Sequence, residues 1–402
     1  MASLAETLQP YWVYGLIAFV AAVFLTPLAI RIAFRYGVLD VPDQKLKPHG
    51  RPIPYLGGAA ICVAWALALV VAMVRGTCDT GMLLPMLLGG VAMALLGLID
   101  DVRSLSPRVR LVVGSAVILL TVVMTGAGTR AAASALLGFN AVFGTSWTLP
   151  EPLAWLISVV FAVLVVLGAC NSTNLIDGLD GLCSGVTSII SFGFFLLAAH
   201  LAVWNYSATG DPVRLVLAIA MAGAALGFLP WNFNPAKIFM GDAGSVLLGY
   251  NCGMLILLFA EREIMRWVIG ALVIFALPIF DTALAMFRRW RAGRSIFEGD
   301  RSHFYDQLVQ RGLSTRQTVL VCYGLTLFYA GTGLLMTWVR LGGGPDGQPM
   351  PVIRTRWAVL LYVGLVLLSA LAAWRTGLLT PEERRPEPPR GSPATAPSPP
   401  SS

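Results

Sequence analysis

Apolar and polar positions along this chain fall into long alternating blocks. Mostly apolar runs cover 11–30, 57–75, 82–99, 109–127, 153–170, 183–203, 213–229, 244–260, 267–287, 317–338 and 356–374. Each is near or within the roughly 17–25 residues that a helix needs to cross a bilayer. The pattern predicts an all-α polytopic membrane protein with about eleven transmembrane helices in one domain, 1–380. The Pro- and Ser-rich stretch 381–402 reads as a disordered cytoplasmic tail. No globular domain has room between the spans.

Composition supports this class. Of 402 residues 57% are hydrophobic and 12% charged, about half the charged share of a soluble domain. The first span has no basic residue before it and is followed by Arg31 and Arg35, which suits an N-out anchor rather than a cleaved signal. The six cysteines form no CxxC pair, so packing is their expected role.

Charge then sets the orientation. With the N-terminus outside, the inside receives five Lys and Arg from Arg31 to Arg51, three from Arg103 to Arg110 and Lys237. Seven more lie from Arg288 to Arg316 and four from Arg375 to Arg390, against eight outside. This 20-to-8 excess predicts an N-out, C-in arrangement under the positive-inside rule. The net charge of +7 is thus a topology signal, and no nucleic-acid partner is needed to explain it.

The polar, glycine-bearing segments 40–58, 97–110, 171–182, 230–245 and 281–316 are each separated from the next by two predicted spans. All five are therefore expected on the cytoplasmic face, where they could assemble one site.

The densest segment is Asn171-Ser172-Thr173-Asn174-Leu175-Ile176-Asp177-Gly178-Leu179-Asp180-Gly181-Leu182. Two carboxamides and two carboxylates next to hydrocarbon are costly unless paired, hydrated or bound to a cation, which suggests a magnesium or phosphate site. Asp100-Asp101 ends the third span. Adjacent helical residues point about 100° apart, so one could take a metal or proton while the other orients a loop. The segment from Asn232 to Ser245 brings Asn232, Asn234, Lys237 and Asp242 together, with glycines either side of Asp242. Magnesium on a diphosphate needs few protein oxygens, and Asn174 with Asp242 would suffice. Ser245 begins a helix whose N-terminus favours phosphate. In the last polar segment, Arg288–Arg291 read as anchors at a span end, whereas Arg301 and His303 suit a diphosphate. Lys47 and His49 in the first loop could meet an anionic substrate, and Gly57-Gly58 would allow close helix contact.

Together these motifs resemble the polyprenyl-phosphate N-acetylhexosamine-1-phosphate transferase family. The resemblance runs from about Asp40 to Ser314 through Asp40–Asp43 with Lys47-Pro48-His49 and Pro52–Gly58, Asp100-Asp101, Asn171–Leu182, Asn232–Gly249, and Asp300–His303 with Leu308. It implies a bundle of ten or eleven helices in the bacterial cytoplasmic membrane. It also implies transfer of a sugar-1-phosphate from a UDP-N-acetylhexosamine to undecaprenyl phosphate, releasing UMP and initiating a lipid-linked envelope polysaccharide. Mg2+ is the implied cofactor, with Mn2+ as a substitute, and a homodimer is a candidate assembly. Asn174 and Asp242 map onto metal ligands, Asp100 and Asp101 onto the catalytic carboxylates, and His303 onto the essential histidine. Asp177 and Asp180 join the catalytic group; Lys47, His49, Asn171, Asn232, Asn234, Lys237 and Arg301 are assigned to substrate.

The chain departs from the family pattern at two places. Its last loop carries one histidine, in Ser302-His303-Phe304-Tyr305, where the muramoyl-pentapeptide branch has a run of them. That turns the expectation toward UDP-GlcNAc and keeps the muramoyl-pentapeptide donor as the alternative. Asp43 stands where many relatives have Asn, and the Lys47–His49 segment is one residue longer. Direct attack and a covalent Asp–phosphosugar route both stay open. The rival class is a transporter, but its polar residues should lie at mid-span and in paired broken helices, whereas here they gather at span ends on one side.

Overall fold

The computed structural model describes residues 6, 8–40, 52–203, 210–260, 265–294, 303–340, 350–353 and 355–379. Lys47, His49, Arg301 and the tail 381–402 lie outside the described residues. In chain order the long helices are α1 (Trp12–Tyr36), α2 (Gly57–Val74), α3 (Thr80–Arg103), α4 (Pro107–Thr125), α6 (Glu151–Ile176), α7 (Leu182–Val203), α8 (Gly210–Asn232) and α9 (Gly241–Ala260). They are followed by α10 (Met265–Ile274), α11 (Ala276–Arg291), a short α12 (Phe304–Gln310), α13 (Thr315–Thr337) and α14 (Thr355–Arg375). A further helix, α5 (Ala131–Phe143), lies between α4 and α6. Two small antiparallel pairs complete the description: β1 (Leu39–Asp40) on β2 (Ile53–Pro54), and β3 (Val339–Arg340) on β4 (Met350–Pro351).

Among the described residues, ten helices are long and apolar enough to cross a membrane, and an eleventh span is bent. The protein is therefore a polytopic membrane bundle, and each of the eleven apolar runs has a helical counterpart. The run 267–287 is corrected from one straight span to two helices, α10 and α11, meeting at 72°. Pro278 explains the break. It lacks an amide proton, and its ring crowds the carbonyl four residues earlier, which is that of Ile274, the last residue of α10. The helix α5 is a second addition, made by an apolar stretch too short to span.

The bundle is built around α9, of which 94% of the apolar window is buried. Small residues let its neighbours approach. A Cβ on Gly253 would lie 2.8 Å from the Val166 backbone of α6, and one on Gly249 would come 2.4 Å from the Cys170 backbone. On α8, a Cβ on Gly223 would sit 2.1 Å from the Gly15 carbonyl oxygen, and Gly227 packs in the same way on Phe19 of α1. Without a hydrophobic drive between helices in lipid, such close van der Waals packing holds the bundle together. Large apolar side chains such as Phe24, Leu120, Leu164 and Leu367 remain exposed on the outer helices, as a lipid-facing surface requires.

Candidate active site

The polar segments meet at one end of the bundle, about the first turn of α9. Phe239 and Met240 accept the amides of Gly57 (3.1 Å) and Gly58 (2.8 Å), while the Phe239 amide donates to Pro54 (2.8 Å). A Cβ on Gly58 would fall 2.1 Å from the Gly244 nitrogen, so the glycine pair does permit the close contact expected of it. Gly97 of α3 faces the Asp242 carbonyl at 2.5 Å in the same sense.

Asp242 is the hub. Its Oδ1 accepts from Asn174 Nδ2 at 2.7 Å, and its Oδ2 accepts from Arg110 Nη1 at 3.0 Å. The Arg110 guanidinium also grips Asp100 Oδ2, whose other oxygen accepts the Leu105 amide at 2.6 Å. Asn174 donates in addition to Ser245 Oγ at 3.1 Å. Thus residues of α3, α4, α6 and α9 converge on one carboxylate, and the charge-assisted bonds from a single guanidinium tie two acids together.

The two adjacent acids do different work. Asp101 Oδ1 accepts the Asp242 amide (2.9 Å) and Oδ2 the Ala243 amide (3.2 Å). Asp101 is therefore an N-terminal cap for α9, lent by another helix to amides that would otherwise have no intrahelical partner. Gly241, in the left-handed region at φ +70°, turns the chain into the helix, and a Cβ there would meet Asp101 Oδ2 at 2.6 Å.

The Asn171–Leu182 segment divides likewise. Asp180 Oδ2 accepts from Asn234 Nδ2 (2.9 Å) and the Ala236 amide (3.0 Å). Asn232 is buried; its Oδ1 accepts from the Gly181 amide and Ser184 Oγ, and its Nδ2 donates to the Ile238 carbonyl at 3.0 Å. Asp180, Asn232 and Asn234 thereby staple the loop before α9 to the loop after α6. Lys237 is exposed and lies over the Trp231 ring at 5.2 Å. Asn171 is exposed, and its side chain makes no hydrogen bond to a described residue. The Asp177 side chain likewise makes none, and burial, together with the Asp242, Asp101 and Asp180 carboxylates, pushes its carboxyl up to about 8.

His303 sits apart from the Asp242 hub. It is buried, caps α12, and places Nδ1 2.8 Å from Asp281 Oδ2, while Asp281 Oδ1 accepts the Phe304 amide at 2.8 Å. The helix is tied to the site through Tyr305, stacked on His303 and donating to the Leu175 carbonyl at 2.8 Å. Gly178 makes room for that phenol; a Cβ there would lie 2.2 Å from its oxygen.

Arg110 and Tyr305 are residues that the sequence reading did not single out. Arg110 counted only as a topology charge, although its place in the first turn after the Asp100-Asp101 pair hinted at more. Arg288 and Arg289, read as anchors, are buried, so their role extends beyond charge at an interface.

Among the described residues no group of three His, Cys, Asp or Glu forms a ready-made metal cage. What the site offers is a set of hard oxygens crowded about Asp242, one guanidinium, and a helix N-terminus: the makings of a centre for anionic substrates.

The comparisons with known proteins agree with that class. The sequence profile of glycosyl transferase family 4 matches residues 83–260. A Bacillus subtilis (strain 168) protein assigned as an undecaprenyl-phosphate N-acetylglucosaminyl 1-phosphate transferase is 31% identical over 327 residues, 80% of this chain and 83% of that relative. The decaprenyl-phosphate N-acetylglucosaminephosphotransferase of Mycolicibacterium smegmatis is 32% identical, over 88% of this chain and 87% of its own. A phospho-N-acetylmuramoyl-pentapeptide-transferase of Streptomyces griseus is 30% identical, over 76% and 94%. The chain belongs to glycosyl transferase family 4, and it is a multi-pass membrane enzyme.

Proposed function

We propose that the enzyme transfers N-acetylhexosamine-1-phosphate, with GlcNAc-1-phosphate the first candidate, from a UDP-sugar to undecaprenyl phosphate. UMP is released, and the lipid product starts an envelope polysaccharide at the bacterial cytoplasmic membrane. The observation that carries this reading is Asp242, set at the mouth of the most buried helix and held by Asn174 and Arg110 from two others. The relatives from Bacillus and Mycolicibacterium, named for GlcNAc-phosphate transfer to polyprenyl phosphates, support it. The 20-to-8 bias of basic residues supports placing this end in the cytoplasm, with the N-terminus outside.

In this reading an oxygen of the lipid phosphate attacks the phosphorus that bears the sugar. The bond from that phosphorus to the bridging oxygen breaks, and the electron pair leaves with UMP. Both reactants are anions, so the site must offset their repulsion. The donor set suits magnesium: the Asp242 carboxylate and the Asn174 carboxamide lie side by side, and the burial and neighbouring carboxylate charges that lift the Asp177 carboxyl are what a dication offsets. Held by Asp242 and Asn174, Mg2+ or Mn2+ would neutralise diphosphate charge.

The protein's own groups do the rest. Arg110 holds Asp100 and Asp242 at a fixed spacing. Asp101 fixes the start of α9 and acts as a positioning residue. Asp177, whose side chain makes no hydrogen bond to a described residue, has a carboxyl lifted above the acceptor monoester's pKa of about 6, so a proton shared between the two rests on Asp177 and leaves the acceptor phosphate fully ionised. His303, oriented by Asp281, closes the site on the α12 side.

The Streptomyces relative keeps the muramoyl-pentapeptide donor as the competing reading. The single histidine of the last loop favours the compact donor. A UMP-release assay on purified protein, with undecaprenyl phosphate and a panel of UDP-sugars, tests the proposal. Release above background with UDP-GlcNAc and acceptor together supports it, and no release with any UDP-amino sugar rejects it.

A further inference from the structure

The last span ends in a turn that reaches back to the helices bearing Asp281 and His303. After Arg375, Gly377 takes φ +72°, its amide donating to Trp374 (3.1 Å) and the Leu378 amide to Ala373 (2.9 Å). This is the paired-bond ending of a helix that finishes on a left-handed glycine. It buries Leu378 and turns its carbonyl inward. That carbonyl accepts from Arg288 Nη1 of α11 (3.2 Å) and from Gln307 Nε2 of α12 (3.4 Å). The Thr376 carbonyl accepts from Arg311 Nη2 (2.5 Å), directly after α12.

The geometry has a pattern. Asp281 and Arg288 are seven residues apart, on one face of α11, and His303 and Gln307 are four apart. One rung between the two elements is Asp281–His303 at 2.8 Å. The second rung is Arg288–Leu378–Gln307, completed by a carbonyl from α14. The helix α14 otherwise presents a mostly lipid-exposed face, only 11% of its apolar window being buried. A helix end could have left these carbonyls to water or lipid headgroups. Here three side chains from the histidine-bearing region take them instead.

We propose that the Gly377 turn is a latch that positions His303, with Arg288, Gln307 and Arg311 as its catches. The inference rests on the role given above to His303. With the latch intact, α11 and α12 are held at two points and the His303 ring keeps its place on Asp281. With it broken, α12 keeps its first-turn ties to Asp281 and Leu175 but loses its hold at Gln307 and Arg311, and a small misplacement of a site group is costly in rate.

The test uses the full chain in detergent, with Gly377→Val, Gly377→Asn, Arg311→Ala, Arg311→Lys and His303→Gln. No atom lies within 4 Å of a Cβ at Gly377, so valine acts there through backbone conformation alone, while asparagine tolerates the left-handed region. Turnover is read as UMP release, with kcat, KM for the UDP-sugar and the pH profile of kcat. Gly377→Val and Arg311→Ala should lower kcat about three- to tenfold with KM within about twofold, and change the pH limb that His303→Gln abolishes. Gly377→Asn and Arg311→Lys should restore most of the loss. Wild-type kcat in Gly377→Val, or a loss without change in the pH profile, overturns the latch. Full activity in His303→Gln instead overturns the role of that histidine, and the latch with it. Inactive His303→Gln beside fully active Gly377→Val refutes the latch alone.

Discussion

The carboxylate of Asp101, on α3, accepts the backbone amide of Asp242, on α9, at 2.9 Å, and that of Ala243 at 3.2 Å. A helix N-terminus needs acceptors for its first amides. Here they come from a residue 141 positions earlier in the chain. The same bond therefore caps α9 and sets where the hub carboxylate stands.

Asp101→Asn keeps one acceptor but sets an NH2 group against the second amide. It should lower stability by about 0.5–2 kcal/mol, the usual worth of a cap, and depress turnover by displacing Asp242. Asp100→Asn should depress turnover with less loss of melting temperature. Thermal unfolding in detergent alongside initial rates separates the two. Equal melting points for wild type and Asp101→Asn would contradict the capping role.

Arg110 bridges Asp100 and Asp242. Arg110→Ala leaves two neighbouring acids without their shared cation, and kcat should fall about a hundredfold. Arg110→Lys should recover only part, because an ammonium lacks the planar fork. Near-wild-type turnover in Arg110→Ala would dismiss it as a topology charge after all.

The Asp177 carboxyl is lifted from an ordinary 3.8 to about 8. Between those values the folded protein holds a proton that the unfolded chain gives up, so this group's contribution to stability falls as pH rises, until about 8. Metal-free wild type should thus lose melting temperature more steeply from pH 5 to 8 than Asp177→Asn does. Parallel slopes would show that the group is not raised.

The spans were legible because membrane-crossing helices announce themselves by length and hydropathy. The meeting of the polar loops was legible through parity alone: Asn174 and Asp242 are 68 residues apart yet lie on alternate turns of the chain, and the structure brings them to 2.7 Å. The division of labour was not. Asp100 and Asp101 look alike as letters, and only the position of α9 shows that one caps it while the other pairs with Arg110. The bend at Phe275 was hidden because both halves are apolar, although Pro278 carried the signal. Asp180 and Asn232 read as chemistry, whereas their bonds are to the neighbouring loop.

Orientation gives a further expectation. With the basic residues sorted 20 to 8, a reporter fused after Thr376 should work only if it functions in the cytoplasm. Activity of a periplasm-dependent reporter there would invert the assignment.

The central claim is donor and product. Purified enzyme given undecaprenyl phosphate, magnesium and equal amounts of UDP-GlcNAc and UDP-N-acetylmuramoyl-pentapeptide should yield chiefly the undecaprenyl-diphosphate GlcNAc lipid by mass, with matching UMP. Asp242→Asn and Asn174→Ala should abolish that product while the protein stays folded. Predominant muramoyl-pentapeptide lipid would contradict the donor assignment, and no lipid-linked product from either donor would contradict the account as a whole.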